Sequence, residues 1–222
     1  AFAILWDGQE LHGLNASGAA PAAWNAQRFD GRVEMPFRGW ESVTVPGAVS
    51  AWVALSERFG ALPFADLFAP AIRYAEDGFA VSPVIAALWA RAAEQLGDQP
   101  GFAETFLPDG RAPRAGERFR APGHARTLRA IADTKGRAFY EGEIAEAIVA
   151  YAKEHDAALS LADMASHRPE WCGTISTAFD DATLHEIPPN GQGIAALMGL
   201  GILSHTPIRE MAADDPQALH LQ

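Results

Sequence analysis

Cysteine is almost missing from this chain: one residue, Cys172, stands among 222. A single thiol excludes an internal disulfide and a cysteine-based zinc site, so packing must hold the fold. It suits cytoplasm and periplasm equally, and both stay open as locations. Basic side chains are also scarce, 17 Lys+Arg against 28 Asp+Glu, for a formal charge of −11. That balance argues against nucleic acid as a partner, because phosphate neutralisation needs clustered cations. Long apolar runs are lacking too. The longest, residues 194–203, is about half of the roughly 20 residues a membrane helix requires, so no membrane span is expected.

Several catalytic signatures are equally absent. The seven histidines include no pair at i, i+4, and His185-Glu186 lacks the second histidine of a His-Glu-x-x-His helix. No metal and no other cofactor is expected. Gly47-Ala48-Val49-Ser50 does not complete the Gly-x-Ser-x-Gly elbow of a serine nucleophile, and His167, beside Arg168 and Pro169, reads as a helix end. Cys172 reads as a small buried hydrophobe in a strand-like stretch. The run Arg111, Arg114, Arg118, Arg120, Arg126, Arg129 reads as a solvated loop, since a charge cluster alone specifies no geometry.

What is present is globular material, 49% hydrophobic and 20% charged, enough for a sizeable core. Residues 2–6 and 11–14 flank the turn Asp7-Gly8 as a hairpin. A small-residue loop follows over 15–21. Residues 42–45 read as a strand that turns at Pro46-Gly47 into a helix running to Gly60. A helix over 64–76 carries Pro70 as a kink and stops at Asp77-Gly78. Ser82-Pro83 opens another to Leu96, and 97–123 reads as a long mobile surface loop. Helices are predicted over 127–134, 141–155 and 160–164. A second hairpin pairs 173–179 with 182–187, and a buried apolar helix over 194–203 follows the break Pro188-Pro189-Asn190-Gly191.

Gly191-Gln192-Gly193-Ile194-Ala195-Ala196 also matches the Gly-x-Gly-x-x-Ala dinucleotide fingerprint, with Glu210 about 20 residues on. A dinucleotide-binding or non-enzymatic domain is therefore the alternative reading. The chain opens without an initiator Met or a signal-peptide pattern and ends without a helix stop, so it reads as a single-domain portion, residues 1–222, of something longer.

Taken in order, the segments Leu14-Asn15-Ala16-Ser17-Gly18-Ala19-Ala20-Pro21, Val45-Pro46-Gly47-Ala48-Val49-Ser50-Ala51-Trp52, Leu62-Pro63-Phe64-Ala65-Asp66-Leu67-Phe68-Ala69-Pro70-Ala71-Ile72, Ala75-Glu76-Asp77-Gly78-Phe79, Gly136-Arg137-Ala138-Phe139-Tyr140-Glu141-Gly142 and Ile187-Pro188-Pro189-Asn190-Gly191-Gln192-Gly193 resemble the large-subunit part of the γ-glutamyltransferase family of N-terminal nucleophile hydrolases. The resemblance implies an α+β fold: a four-layer αββα sandwich, of which this chain supplies helices and part of the central sheets. It also implies a self-cleaving precursor. Its newly exposed N-terminal Thr, on a small subunit outside this chain, would attack a γ-glutamyl or glutaryl-type amide and pass the acyl group to water or an amine.

No catalytic residue is thus expected here. Ser17 stands where the family's γ-glutamyl-specific enzymes place a carboxylate-binding Arg, and a hydroxyl cannot replace a bidentate guanidinium. Together with the Pro-Pro-Asn-Gly-Gln-Gly turn, this looks more like the family's cephalosporin and glutaryl acylase branch. Ser17 is the candidate substrate-binding residue. Asn190, Gly191 and Gly193 are expected to shape a tight turn near the pocket, with Asn190 holding backbone groups.

Overall fold

The structure, a computed structural model, describes all 222 residues. Its strands are β1 (Phe2–Trp6), β2 (Leu11–Asn15), β3 (Phe79–Ala80), β4 (Arg118–Phe119), β5 (Glu170–Trp171), β6 (Ile175–Phe179) and β7 (Ala182–Glu186). Its helices are α1 (Ala48–Phe59), α2 (Ala69–Asp77), α3 (Pro83–Leu96), α4 (Phe102–Phe106), α5 (Pro122–Thr134), α6 (Arg137–Glu141), α7 (Glu143–Glu154), α8 (Leu161–Ser166), α9 (Gly193–Leu203) and α10 (Pro216–Leu221). The class is α+β, and all strand pairs are antiparallel. No helix is long and apolar enough to cross a membrane. The chain divides into two compact units, one formed by residues 1–58 with 145–222 and the other by residues 59–144.

In the first unit, both predicted hairpins form. Asp7 builds the first turn: its carboxylate accepts the amides of Gln9 and Glu10, each at 2.8 Å, an Asx turn that sets the register Phe2 to Asn15. β5 then adds to β2 through Leu14 and Asn15, a strand too short to leave a periodic signal. Leu14, Ala16 and Ala51 form a buried cluster on which Ala3, Leu55 and Trp171 pack. This core ties the β1–β2 hairpin to the first turns of α1.

The strand predicted over residues 42–45 does not form: Ser42 closes a 3₁₀ turn, and residues 43–47 belong to no strand. They run extended, and the Val45 amide donates to Ala19 O at 3.1 Å, so the segment serves as a brace for the loop after β2. Cys172 is half-exposed rather than buried, because it lies just past the end of β5. The helix α9 departs furthest from expectation. Only Leu197 is buried, while Ile194, Met198 and Ile202 are exposed, since the helix packs chiefly on the β6–β7 hairpin.

In the second unit, Pro70 does not kink a helix. It sits in the first turn of α2, where its missing N–H costs nothing, and a 3₁₀ turn over Phe64–Phe68 precedes it. Residues 97–123 are not one long loop, for they contain α4 and β4, the latter pairing with β3. Aromatic contacts explain this: Phe119 meets Phe79 at 6.0 Å and Trp89 at 4.6 Å between ring centroids. Nor is the arginine run simply solvated. Arg111 grips Glu117 through two hydrogen bonds of 2.9 Å, Arg129 pairs with Glu76, and Arg118 and Arg120 donate to Asp77 O at 3.2 and 3.1 Å. These arginines staple α2, β4 and α5 together.

Candidate functional site

Two segments far apart in sequence meet in the first unit. β2 ends at Asn15, and the chain then turns through Ala16, Ser17 and Gly18. This loop is pressed flat against its brace. A Cβ on Gly47 would fall 1.8 Å from Ala16 O, and one on Gly18 would fall 1.7 Å from Val45 O. Glycine at both positions is therefore what lets the two backbones touch. At the other end β7 runs into Ile187, which is buried, and Pro188-Pro189 delivers Asn190 to the same place before α9 begins at Gly193. A Cβ on Gly193 would meet the Glu186 carboxylate at 2.6 Å, whereas Gly191 has open space beside it.

There the side chains close a ring. The Ser17 amide donates to Asn15 Oδ1 at 2.9 Å, Asn15 Nδ2 donates to Asn190 Oδ1 at 2.9 Å, and Asn190 Nδ2 donates to Ser17 Oγ at 3.0 Å. Asn190 thus holds two side chains, not the backbone groups expected of it, because the double proline carries its amide out to the end of β2. Asn15 belongs to the ring, although its sequence context marks only a loop. Its signal is positional, as the last residue of a strand with a small-residue turn behind it.

The loop carrying Ser17 is anchored from behind by α8. Asp163, buried, accepts from the Ala22 amide at 2.8 Å and completes a capping box with Ser160 at the start of α8. Burial pushes its carboxyl up, but the hydrogen bonds from the Ser160 side chain and from the Ala22 and Ser160 amides outweigh this and hold it below the usual carboxylate range. Just past the same helix, His167 Nε2 lies 2.9 Å from Ser50 Oγ, and that hydroxyl is 2.7 Å from Gly47 O. Gly47 O can only accept, so the serine spends its hydrogen there and the imidazole nitrogen donates to Ser50. A histidine that donates to a serine is not its base. Burial also lowers the His167 pKa. The pair is a donor chain that fixes Gly47, and through it the Ser17 loop.

A second polar cluster lies beside the first hairpin. His12, buried in β2, contacts Asp7 Oδ2 through Nε2 at 2.8 Å and Arg58 Nη2 through Nδ1 at 3.1 Å. Arg58 in turn stacks on Trp171 at 4.5 Å. The hydrogen bond from His12, then the amides of Glu10 and Gln9, hold Asp7 far below the usual carboxylate range. The cluster locks β1, β2, β5 and the end of α1 together. No group of three or more His, Cys, Asp or Glu side chains comes together in a way that could hold a metal ion.

The dinucleotide alternative fails on topology. The glycines of Gly191-Gln192-Gly193 follow an antiparallel hairpin, not the first strand of a parallel β-α-β unit on which that fingerprint depends. An α+β chain with a braced small-residue loop and a double-proline turn closing one polar ring defines a different class. The γ-glutamyltranspeptidase family pattern matches residues 1–222, and the chain belongs to that family.

Among its relatives, it is 38% identical over 215 residues to the oxamate amidohydrolase proenzyme of Klebsiella pneumoniae, covering 93% of this chain and 40% of that one. It is 34% identical over 192 residues to the glutathione hydrolase-like YwrD proenzyme of Bacillus subtilis, 86% of this chain and 37% of that one. Among solved structures, the cephalosporin acylase from Bacillus halodurans superposes with a TM-score of 0.91 at 42% identity, covering 99% of this chain and 42% of that one. The chain spans about two fifths of the length of the curated relatives it matches.

Proposed function

We propose that this chain is the large-subunit portion of an N-terminal nucleophile amidohydrolase that cleaves γ-glutamyl or related glutaryl-type amides. The nucleophile would be a Thr at the start of a small subunit outside these 222 residues, freed by self-cleavage of a common precursor. That Thr would attack the amide carbonyl, its own amine acting as base, and the acyl-enzyme would pass to water or an amine. The observation that carries the reading is the ring of Asn15, Asn190 and Ser17. It joins two of the segments that carry the family resemblance, in a chain whose relatives are named as hydrolase, amidohydrolase and acylase proenzymes.

In this role the large subunit supplies a pocket wall: Ser17 faces the acyl group, and Asn190, Gly191 and Gly193 shape the turn beside it. The open space at Gly191 gives a substrate room to approach the backbone. The test is the intact mass of every polypeptide in the purified full-length protein, with N-terminal sequencing and assay on γ-glutamyl and glutaryl anilides. A second chain beginning with Thr, together with amide cleavage, supports the reading. An uncleaved, inactive precursor under all conditions refutes it.

A further inference from the structure

We infer that Asn190-Gly191 is a self-modification site: Asn190 loses its side-chain amide through attack by the Gly191 nitrogen when the ring with Asn15 and Ser17 opens. The chain holds three asparagines. Asn15 and Asn25 each precede an alanine, whose Cβ crowds the attacking nitrogen, and the Ala16 amide is already committed to Ala1 O at 2.8 Å. Asn190 alone precedes a glycine. Gly191 lies outside α9, ahead of its N-cap Gln192, and even an added Cβ would meet nothing within 4 Å there. This exposed turn has room for a five-membered ring to close on its own backbone.

The reaction needs nothing but water. The Gly191 nitrogen attacks Asn190 Cγ, the new C–N bond closes a succinimide, and the Cγ–Nδ2 bond breaks. Nδ2 leaves as ammonia, carrying the hydrogen of the Gly191 amide. Water then adds to one of the two succinimide carbonyls, its hydroxyl going to carbon and its hydrogen to nitrogen. Opening at Cγ gives aspartate, and opening at the Asn190 backbone carbonyl gives isoaspartate, with Cβ and Cγ in the main chain. Nothing is oxidised or reduced.

The closed ring opposes the first step. Asn190 Oδ1 accepts from Asn15 Nδ2 at 2.9 Å, and Asn190 Nδ2 donates to Ser17 Oγ at 3.0 Å. Both partners are themselves fixed, since the Ser17 amide donates to Asn15 Oδ1. Attack at Cγ turns the planar amide tetrahedral and expels the very nitrogen that Ser17 holds, so both hydrogen bonds must be given up on the way. The product keeps a record of the opening. Aspartate has no amide hydrogen to give, so Ser17 must donate where it accepted before, and a negative charge enters the ring. Isoaspartate adds an atom to the main chain between β7 and α9. Reclosing the ring reverses neither change, so the modified fraction counts the time the turn has spent open.

The test follows Asn190 in the full-length protein at mildly alkaline pH, by mass spectrometry of peptides released under acidic digestion. The same protein unfolded in guanidinium chloride is the reference. The unfolded chain should modify Asn190 at least about tenfold faster than the folded one, because two neutral hydrogen bonds no longer hold the amide. Ser17→Ala removes the acceptor for Nδ2 and should speed the folded reaction about fivefold, as loss of one such bond implies. Ser17→Thr keeps the hydroxyl and should stay near wild type. Gly191→Ala, for which the structure has room, should slow the reaction in both states.

Equal rates in folded and unfolded wild type overturn the guarding role without recourse to any variant, and so does a folded Ser17→Ala that reacts no faster. Modification of Asn25 as fast as Asn190 in the unfolded chain, or no slowing in Gly191→Ala, overturns the site itself. None of these readouts depends on amide cleavage by the protein, so they stand or fall apart from the function proposed above.

Discussion

Replacing Asp163 by Ala gives the most direct measure of how the Ser17 loop is held. The carboxylate does two jobs at once: it closes the capping box at the start of α8 and accepts the Ala22 amide at 2.8 Å. Ser160 still caps the helix by accepting the amide of residue 163, but losing the carboxylate that accepts the Ser160 amide costs about 1 kcal/mol. Losing the bond from the amide of exposed Ala22 to a charged carboxylate costs about 1.5–3 kcal/mol more. A total of about 2.5–4 kcal/mol is expected in urea unfolding of the full-length protein at pH 7, with the unfolding slope unchanged.

The pH dependence supplies a second handle. Asp163 titrates lower in the folded chain than in the unfolded one. Its contribution is therefore complete above the unfolded value of about 3.9 and fades as pH falls through the folded value. The penalty of Asp163→Ala should accordingly be full at neutral pH and shrink in acid. A loss below about 0.5 kcal/mol at pH 7, typical of an ordinary surface change, would refute the reasoning, and a penalty that grows in acid would reverse its sign.

Other consequences are as open to measurement. Gly47→Ala forces a Cβ to within 1.8 Å of Ala16 O, so the full-length protein should lose at least about 2 kcal/mol of stability, read as a lowered melting temperature. Met164→Ala empties a fully buried site and should cost about 2–5 kcal/mol in the same assay. Glu117, held to about 2 chiefly by the Arg111 hydrogen bonds, should keep its Arg111 pair as pH falls through the usual carboxylate range and lose it only as pH nears that value. An NMR titration midpoint in the ordinary range would contradict this. Ser50→Ala removes the relay from His167 to Gly47 without removing a nucleophile, so under the proposed function the full-length protein should keep its amide cleavage and lose stability, and abolished cleavage in a folded variant would overturn the donor assignment.

The hairpins were legible because their turns are local: Asp7-Gly8 and Asp180-Asp181 each sit between short apolar runs, and a strand period of two needs no partner to be seen. The ring was legible only in halves. Ser17 and Asn190 stand out in their own segments, but nothing local says that residues 173 apart will bond, and Asn15 carries no mark except its place at a strand end. The two-residue strands β3, β4 and β5 escaped for the same reason, since they exist only through their partners. Apolarity all round α9 told that something covers it without telling what does, so a helix read as buried turns out exposed over Ile194, Met198 and Ile202. The arginines of residues 111–129 read as solvated because a charge shows its sign in a sequence but not its carboxylate.

The separation of the ring's members bears on when the site can exist. Asn15 and Asn190 stand 175 residues apart, and closing a flexible loop of that length costs about 4–5 kcal/mol in chain entropy. Two neutral hydrogen bonds cannot repay that sum. The ring therefore cannot bring its own ends together and depends on the packing of the rest of the first unit to do so. A nascent or half-folded chain therefore lacks the ring, and under the proposed function its wall of the pocket would exist only once folding has joined the two segments.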